Sequence, residues 1–323
     1  MQTSCIHSRW RSPSWNLSIR RWLLLATLLP ARSLAAPAEA TNESPPEWLL
    51  VGQKGEWECV FRGEYFKSDM NYSQEYYNFQ RNSTQSGQLY TGTLEVKWPG
   101  LPTGDAVFAS FGSGRYDGTL MSPSYTAPSQ LDSDMTYFTI GFQQSVTLAK
   151  NADGIPWSVL KWSCGYSYTG WDTTETAPPG YIFGWTGTPY SHENANFNLC
   201  EVTAEYTCAL LAIPTGKNSC LRFGPRAQGI VGVGFSIVKA DWMTDGSSVE
   251  GAVDYGGKGS LFLDWSTRNL VIGIEGGYRY IGYTSYGYEG DDSDYYDYDY
   301  TTYDSYTRAL HGPVATAYLS FRF

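Results

Sequence analysis

The last fifteen residues, Ala309 to Phe323, constrain the fold of this chain more than any other stretch. Ala315, Ala317, Leu319, Phe321 and Phe323 alternate with Thr316, Tyr318, Ser320 and Arg322. A two-residue period of this kind is a β-strand whose two faces meet different surroundings. The same division returns upstream. In Trp57 to Phe66, Trp57, Cys59, Phe61 and Tyr65 oppose Glu56, Glu58, Arg62 and Glu64; in Gln88 to Trp98, Tyr90, Leu94, Val96 and Trp98 oppose Thr91, Thr93, Glu95 and Lys97. A water-soluble β-sandwich, the competing fold, would have to bury Glu56, Glu58, Glu95, Lys97, Glu201 and Glu205 in a dry core, which is costly without partners. A lumen that is wet or laced with ion pairs holds them, while the other row faces hydrocarbon.

Further alternating segments are read at Asp105 to Gly112, Thr136 to Leu148, Trp157 to Tyr168, Asn198 to Ala212, Gly229 to Ile237, Lys258 to Trp265 and Leu270 to Tyr280. Gln144 interrupts the apolar row of the second of these. With the closing strand the count is ten, and Pro225 and the glycines of residues 220 to 257 leave eight or twelve open. The connections alternate in length. Pro99 to Thr103, Ala149 to Ile155, Ile213 to Ser219 and Ser266 to Asn269 are short and rich in turn residues. Phe66 to Gly87, Arg115 to Ser133, Gly170 to Phe197, Lys239 to Tyr255 and Tyr283 to Arg308 are longer, polar and read as loops.

The alternation that stops on Phe323 resembles the closing strand of Gram-negative outer-membrane β-barrel proteins, in kind the small porin-like and opacity or adhesin-type barrels. The resemblance implies an all-β fold, a single antiparallel transmembrane β-barrel with short periplasmic turns and long external loops, and it makes Phe323 with Phe321 a signal for the barrel-assembly machinery. The expected lumen-lining residues are Glu56, Glu58, Arg62, Glu64, Glu95, Lys97, Lys161, Glu201, Glu205, Asp264, Glu275, Arg279 and Arg322. Were they to line an open pore, their acidic excess predicts a mild cation preference.

The N-terminus supplies an address. Arg9, Arg11, Arg20 and Arg21 precede the apolar run Trp22 to Leu29, and Ala38-Glu39-Ala40 offers a cleavage site, so residues 1–40 are expected to be a cleaved export signal. Residues 41–54 then read as a periplasmic lead-in and 55–323 as the barrel. Five cysteines remain after cleavage, Cys59, Cys164, Cys200, Cys208 and Cys220, an odd number that cannot all pair within one chain. Cys208 with Cys220 is the nearest candidate disulfide in sequence, and no zinc spacing is present.

Composition narrows the partners. With a net charge of -10 the chain lacks the clustered Lys and Arg that nucleic acid requires, and outer-membrane lipid is the expected surrounding. The stretch Tyr286 to Tyr306 interleaves tyrosines with Asp291, Asp292, Asp294, Asp297 and Asp299. These are a weak candidate for Ca²⁺ and, with the tyrosines, for an external protein or glycan ligand, although the spacing is not that of an EF-hand. No cofactor is expected. The mature chain has two histidines, His192 and His311, and no Gly-x-Ser-x-Gly elbow. The sequence therefore points to a porin-like or structural surface protein, with a non-conducting adhesin or receptor as the alternative and an enzyme as the least expected outcome.

Overall fold

The computed structural model describes residues 57–76, 79–98, 105–121, 127–150, 156–184, 187–216, 219–241, 247–267, 269–288 and 303–323. The export signal, the lead-in, Glu56 and the aspartates of 291–299 lie outside the described residues. Eleven strands follow in order: β1 Glu58–Tyr76, β2 Phe79–Lys97, β3 Asp105–Leu120, β4 Ser129–Lys150, β5 Pro156–Thr176, β6 Tyr190–Cys208, β7 Leu211–Gly216, β8 Ser219–Ala240, β9 Ser248–Thr267, β10 Leu270–Tyr288 and β11 Tyr303–Arg322. Each full-length strand pairs antiparallel with its neighbours. β11 returns to β1, and β6 pairs with β8, so the sheet closes on itself.

The closed wall has ten staves, because β7 continues the stave begun by β6. Thr207 pairs with Arg226 and Leu211 with Phe223, which leaves residues 208–210 facing only Gly224 and Pro225. This is a bulge. A Cβ on Gly224 would lie 1.9 Å from the Cys208 carbonyl oxygen, so only glycine fits beneath it. Pro225, with no N–H to contribute to a ladder, occupies the gap. The stretch whose proline and glycines blurred the strand count is thus two strands, β8 and β9, and the proline marks the irregularity. Following the ladders from Cys59 through Val96, Val107, Phe142, Cys164, Val202, Val231, Tyr255 and Gly282 leads to Ala309, whereas Cys59 itself pairs with Phe321. That stagger of 12 residues tilts the strands by roughly 35 to 45° and keeps the interior narrow enough for side chains to fill.

The long polar connections are where the structure departs from the sequence reading. Phe66 to Gly87 is almost entirely the upper halves of β1 and β2, and Gly170 to Phe197, Lys239 to Tyr255 and Tyr283 to Arg308 each contribute strand to the wall. Apart from the composite stave of β6 and β7, the staves run 16 to 22 residues, against the 9–11 or so that cross a bilayer. The reason is facing: beyond the apolar rows, strand residues turn polar on the outside while their inward partners stay large, so the two-residue period persists but its polarity inverts.

Exposed apolar side chains form a band around the wall near the termini, among them Phe61, Leu94, Phe142, Trp162, Leu263, Ile274 and Phe321. A ring of outward tyrosines closes its upper edge, with Tyr65 against Tyr90 at 5.2 Å and Tyr255 against Tyr280 at 6.0 Å. Such a band between aromatic borders is the outer face of a barrel that crosses a bilayer. Gln144 stands between Asp105, the first residue of β3, and Trp162 of β5, with Phe142 before it and Val146 and Leu148 after it exposed on the same row, so it interrupts the apolar row within the band. Ile274→Arg, in the band, is expected to cost roughly 2 to 4 kcal/mol when the barrel is unfolded by denaturant from lipid vesicles. Asn71→Arg, on the exposed wall beyond the tyrosines, should change little, about 0.5 kcal/mol or less. Equal costs at the two positions would remove the hydrocarbon from this picture.

Candidate functional site: the closed lumen

The inward rows divide the lumen into layers. At the end where Trp57 and Phe323 exchange backbone hydrogen bonds of 2.9 and 3.0 Å, a mouth of about 220 Å³ is lined by Glu58, Lys97, Arg222, Asp264 and Arg322 among others. Arg322 Nε donates to Glu58 Oε1 at 3.2 Å, and Arg222 donates two parallel bonds to Asp264 at 2.8 and 2.9 Å.

Above the mouth lies an unbroken chain of alternating charge. Lys161 binds Glu95 at 2.8 Å, and Arg62 stands 3.7 Å from both Glu95 and Glu205. Glu205 meets Arg226 at 3.5 Å, and Arg226 donates to Glu275. Lys258 then bridges Glu275 at 2.8 Å and Glu64 at 2.9 Å, and Glu64 takes Arg279. Each charge is flanked by the opposite sign, so mutual attraction offsets the desolvation cost of burying the ions. Cation-over-ring contacts add to the layer: Arg226 sits 5.3 Å from Phe262 and 5.4 Å from Tyr318.

A cavity of about 110 Å³ follows, bordered by Thr91, Tyr137, Glu201, Gln228 and Arg279. Beyond it the interior is not wet. Phe66, Met70, Leu89, Tyr116, Met135, Trp171, Phe197, Leu199 and Tyr283 pack as one buried cluster across the lumen. The polar lumen expected along the whole barrel is therefore interrupted by this aromatic layer, with buried polar groups such as Gln85, Glu175 and Glu193 on its far side. The packing rule is plain: at ten strands the bore is narrow, and alternate rows of aromatic residues fill it.

At the centre of that seal is Arg308, fully buried at 0% exposure. Its guanidinium lies 4.6 Å from the Trp171 ring, 5.1 Å from Tyr306 and 5.3 Å from Tyr72. It donates to Glu193 Oε1 at 3.0 Å and to Thr173 Oγ1 at 2.9 Å. Glu193 also accepts from the Tyr72 hydroxyl at 3.1 Å and the Tyr306 hydroxyl at 2.9 Å. The carboxylate is thus held by three donors from β1 and β11, and its own strand is β6. This clamp ties opposite sides of the barrel together.

Of the lumen residues named from sequence, Glu58, Arg62, Glu64, Glu95, Lys97, Lys161, Glu201, Glu205, Asp264, Glu275, Arg279 and Arg322 face the interior, and Glu56 lies outside the described residues. Arg222, Arg226, Lys258, Trp171, Glu193 and Arg308 also face inward: the proline and glycines of 220–257 hide the register of Arg222 and Arg226, Lys258 shares the row of Asp264 at the very start of its alternating segment, and Trp171, Glu193 and Arg308 lie in stretches whose outer positions are polar and read as loops. A signal did exist. Glu193, Ala195, Phe197 and Leu199 share one row, interleaved with His192, Asn194, Asn196 and Asn198, which is the strand period with apolar residues on the inner side.

Other candidates end on the outer wall. His311 Nδ1 is 3.0 Å from the Tyr278 hydroxyl in the tyrosine ring, and His192 Nδ1 is 3.1 Å from Thr174 Oγ1 on an exposed face. Neither reaches the lumen. Phe321 and Phe323 both point outward at the terminal edge of the apolar band. None of the five described cysteines forms a disulfide, with Cys220 buried and Cys164 and Cys200 exposed, so Cys208 and Cys220 are not joined. Among the described residues no cluster of His, Cys, Asp or Glu is arranged to hold a metal ion.

A closed antiparallel sheet with a greasy outer band, aromatic borders and a lumen filled by its own charges and rings is a transmembrane β-barrel. The chain is similar to the outer membrane protease OmpT from Escherichia coli, at 10% identity over 85% of this chain and 99% of that one, with a TM-score of 0.46. It is also similar to the transport unit of the autotransporter AIDA-I from Escherichia coli, at 10% identity over 91% and 96% of the two chains and a TM-score of 0.37. A third likeness is to the outer membrane protein OprG from Pseudomonas aeruginosa, at 9% identity over 85% and 99% and a TM-score of 0.32. No protein-family model and no curated protein matches the sequence. The barrel stands on its own ladders rather than on these likenesses.

Proposed function

We propose that this chain is an exported outer-membrane β-barrel that does not conduct, and that it works through the outer wall and rim that its long staves raise beyond the bilayer. The observation that supports the reading is the double closure of the lumen. The alternating charge chain crosses it once, and the Arg308 clamp within its aromatic packing crosses it again. A cation held at zero exposure between three rings is packed as a plug is, which favours a bore that does not conduct. The staves in turn lift polar, exposed side chains such as Asn71, Ser86, Arg115 and Asp134 well beyond the tyrosine ring, a surface suited to contact with an external protein or glycan. His192 and His311, both on the outer wall, have no catalytic role in this reading.

The test is electrical. Purified mature protein inserted into planar bilayers is expected to be silent, while the same sample shows the heat-dependent gel mobility of a folded barrel. Discrete ion-selective steps from the unaltered protein would restore the small-porin reading. That second reading draws on the two lumenal cavities on either side of the charge chain. It requires the clamp to move, so under it Trp171→Ala should raise an existing conductance instead of leaving silence.

A further inference from the structure

Gly232 on β8 stands between two acids. It pairs with Glu201 of β6 on one side and with Asp254 of β9 on the other, so the three residues share a rung and face the lumen together. No side chain separates the carboxyls. A Cβ on Gly232 would lie 2.1 Å from Asp254 Oδ1 and 3.0 Å from its Cγ, so the Asp254 carboxyl lies over the glycine. There it meets the Glu201 carboxyl within hydrogen-bond reach. Both residues are buried, Asp254 at 2% exposure and Glu201 at 7%. Glu201 borders the cavity of about 110 Å³ and accepts from the Ser167 hydroxyl. Among the described residues no N–H or hydroxyl donates to Asp254 Oδ1.

Two ionised carboxylates this close repel each other, and burial strengthens the repulsion. Their surroundings offset little of it. β10 presents Arg279 and Tyr283 to the pair, β4 presents Tyr137 and β5 presents Ser167, while β8 offers only the glycine. Lys258, on the same row of β9, is already held between Glu275 and Glu64, and Glu64 of β1 also takes Arg279. The charge chain from Lys161 to Arg279 holds five cations and four anions, which leaves one positive charge in excess. The neighbouring ions, Arg222 with Asp264 and Arg308 with Glu193, are closed pairs. Two carboxylates overshoot that single excess charge. A pair carrying one proton matches it.

We infer that Glu201 and Asp254 bind one proton between them, in an acid-to-carboxylate hydrogen bond that ties β6 to β9 across Gly232. The bond balances the charge of the layer and satisfies the buried oxygen that no other donor reaches. It requires neither a conducting nor a silent barrel, so it stands apart from the function proposed above.

The test is infrared spectroscopy of the full mature chain folded in ether-lipid vesicles, which have no ester carbonyl of their own. At about pH 6 a carboxyl with an ordinary pKa of about 4 is ionised. The folded protein is nevertheless expected to show the carbonyl band of a protonated carboxyl, shifted in heavy water, and Glu201→Gln and Asp254→Asn should each abolish it. Each substitution leaves one carboxylate, the same net charge as the protonated pair, so the folding equilibrium constant should stay within about tenfold of that of the unaltered protein. Either variant alone locates the band, so one that misfolds does not spoil the test. Absence of the band from the unaltered protein, or its survival in either folded variant, would overturn the inference. So would a rise of more than about tenfold in the folding constant of a variant, because that is the relief of two repelling charges.

Discussion

Replacing Arg308 by alanine is expected to lower the stability of the folded barrel by about 3 to 5 kcal/mol, among the largest losses available to a single side chain here. The size follows from what is left behind. Glu193 stays inside the seal and keeps the hydroxyls of Tyr72 and Tyr306, but loses its only described cation. Trp171, Tyr306 and Tyr72 lose the flat group on which they pack, so a cavity is added to the unpaired charge. Arg308→Lys should recover only part of the loss, since an ammonium lacks both the planar fork and the stacking face. Arg308→Ala combined with Glu193→Ala is expected to cost less than the two single losses added together, because the second change removes the stranded charge. The measurement is a denaturant midpoint in lipid vesicles for each variant. A change of less than about 1 kcal/mol for Arg308→Ala would mean that water reaches the clamp and that the seal is open.

Glu275→Ala is expected to rank next, at roughly 3 kcal/mol. The Glu275 side chain has no exposure, and it accepts from Arg226, from Lys258 at 2.8 Å and from Ser260 at 2.6 Å. Its removal breaks the alternating chain at the middle and sets two buried cations near one another. Arg226 keeps Glu205 and Lys258 keeps Glu64, which holds the cost toward the lower end of the range for a broken buried pair. Glu275→Gln keeps the shape and the acceptor oxygen but not the charge, so its loss should be smaller. The contrast is the ion pair of Arg115 with Asp132 on the outer wall, whose side chains are 69 and 51% exposed. Asp132→Ala should cost less than about 1 kcal/mol, and added salt should weaken that contribution, whereas the buried chain is screened far less. If salt weakened both alike, the charge chain would have to be solvated.

These two sites show where sequence reading works and where it stops. The strand period and the direction in which Glu64, Glu95, Glu205 and Glu275 face are legible in residues 57 to 66, 88 to 98, 198 to 212 and 270 to 280, because hydrocarbon on one side and ion pairs on the other sort side chains every second position. The period alone could not say how far each strand continues. Past the bilayer the outside becomes polar and the inside aromatic, so Tyr72, Trp171, Glu193 and Arg308 fell in stretches that read as loops. Nor could it join residues across the bore: Arg308 on β11 meets Glu193 on β6 only because ten staves with a stagger of 12 residues bring those positions to one level.

What the sequence determined by itself is local: a two-residue period, its register against lipid, and the turns that reverse the chain. Only the tertiary structure decided that the lumen is closed. Closure depends on the diameter of the bore and on which distant rows share a layer, and both are set by strand number and stagger, quantities no single segment carries.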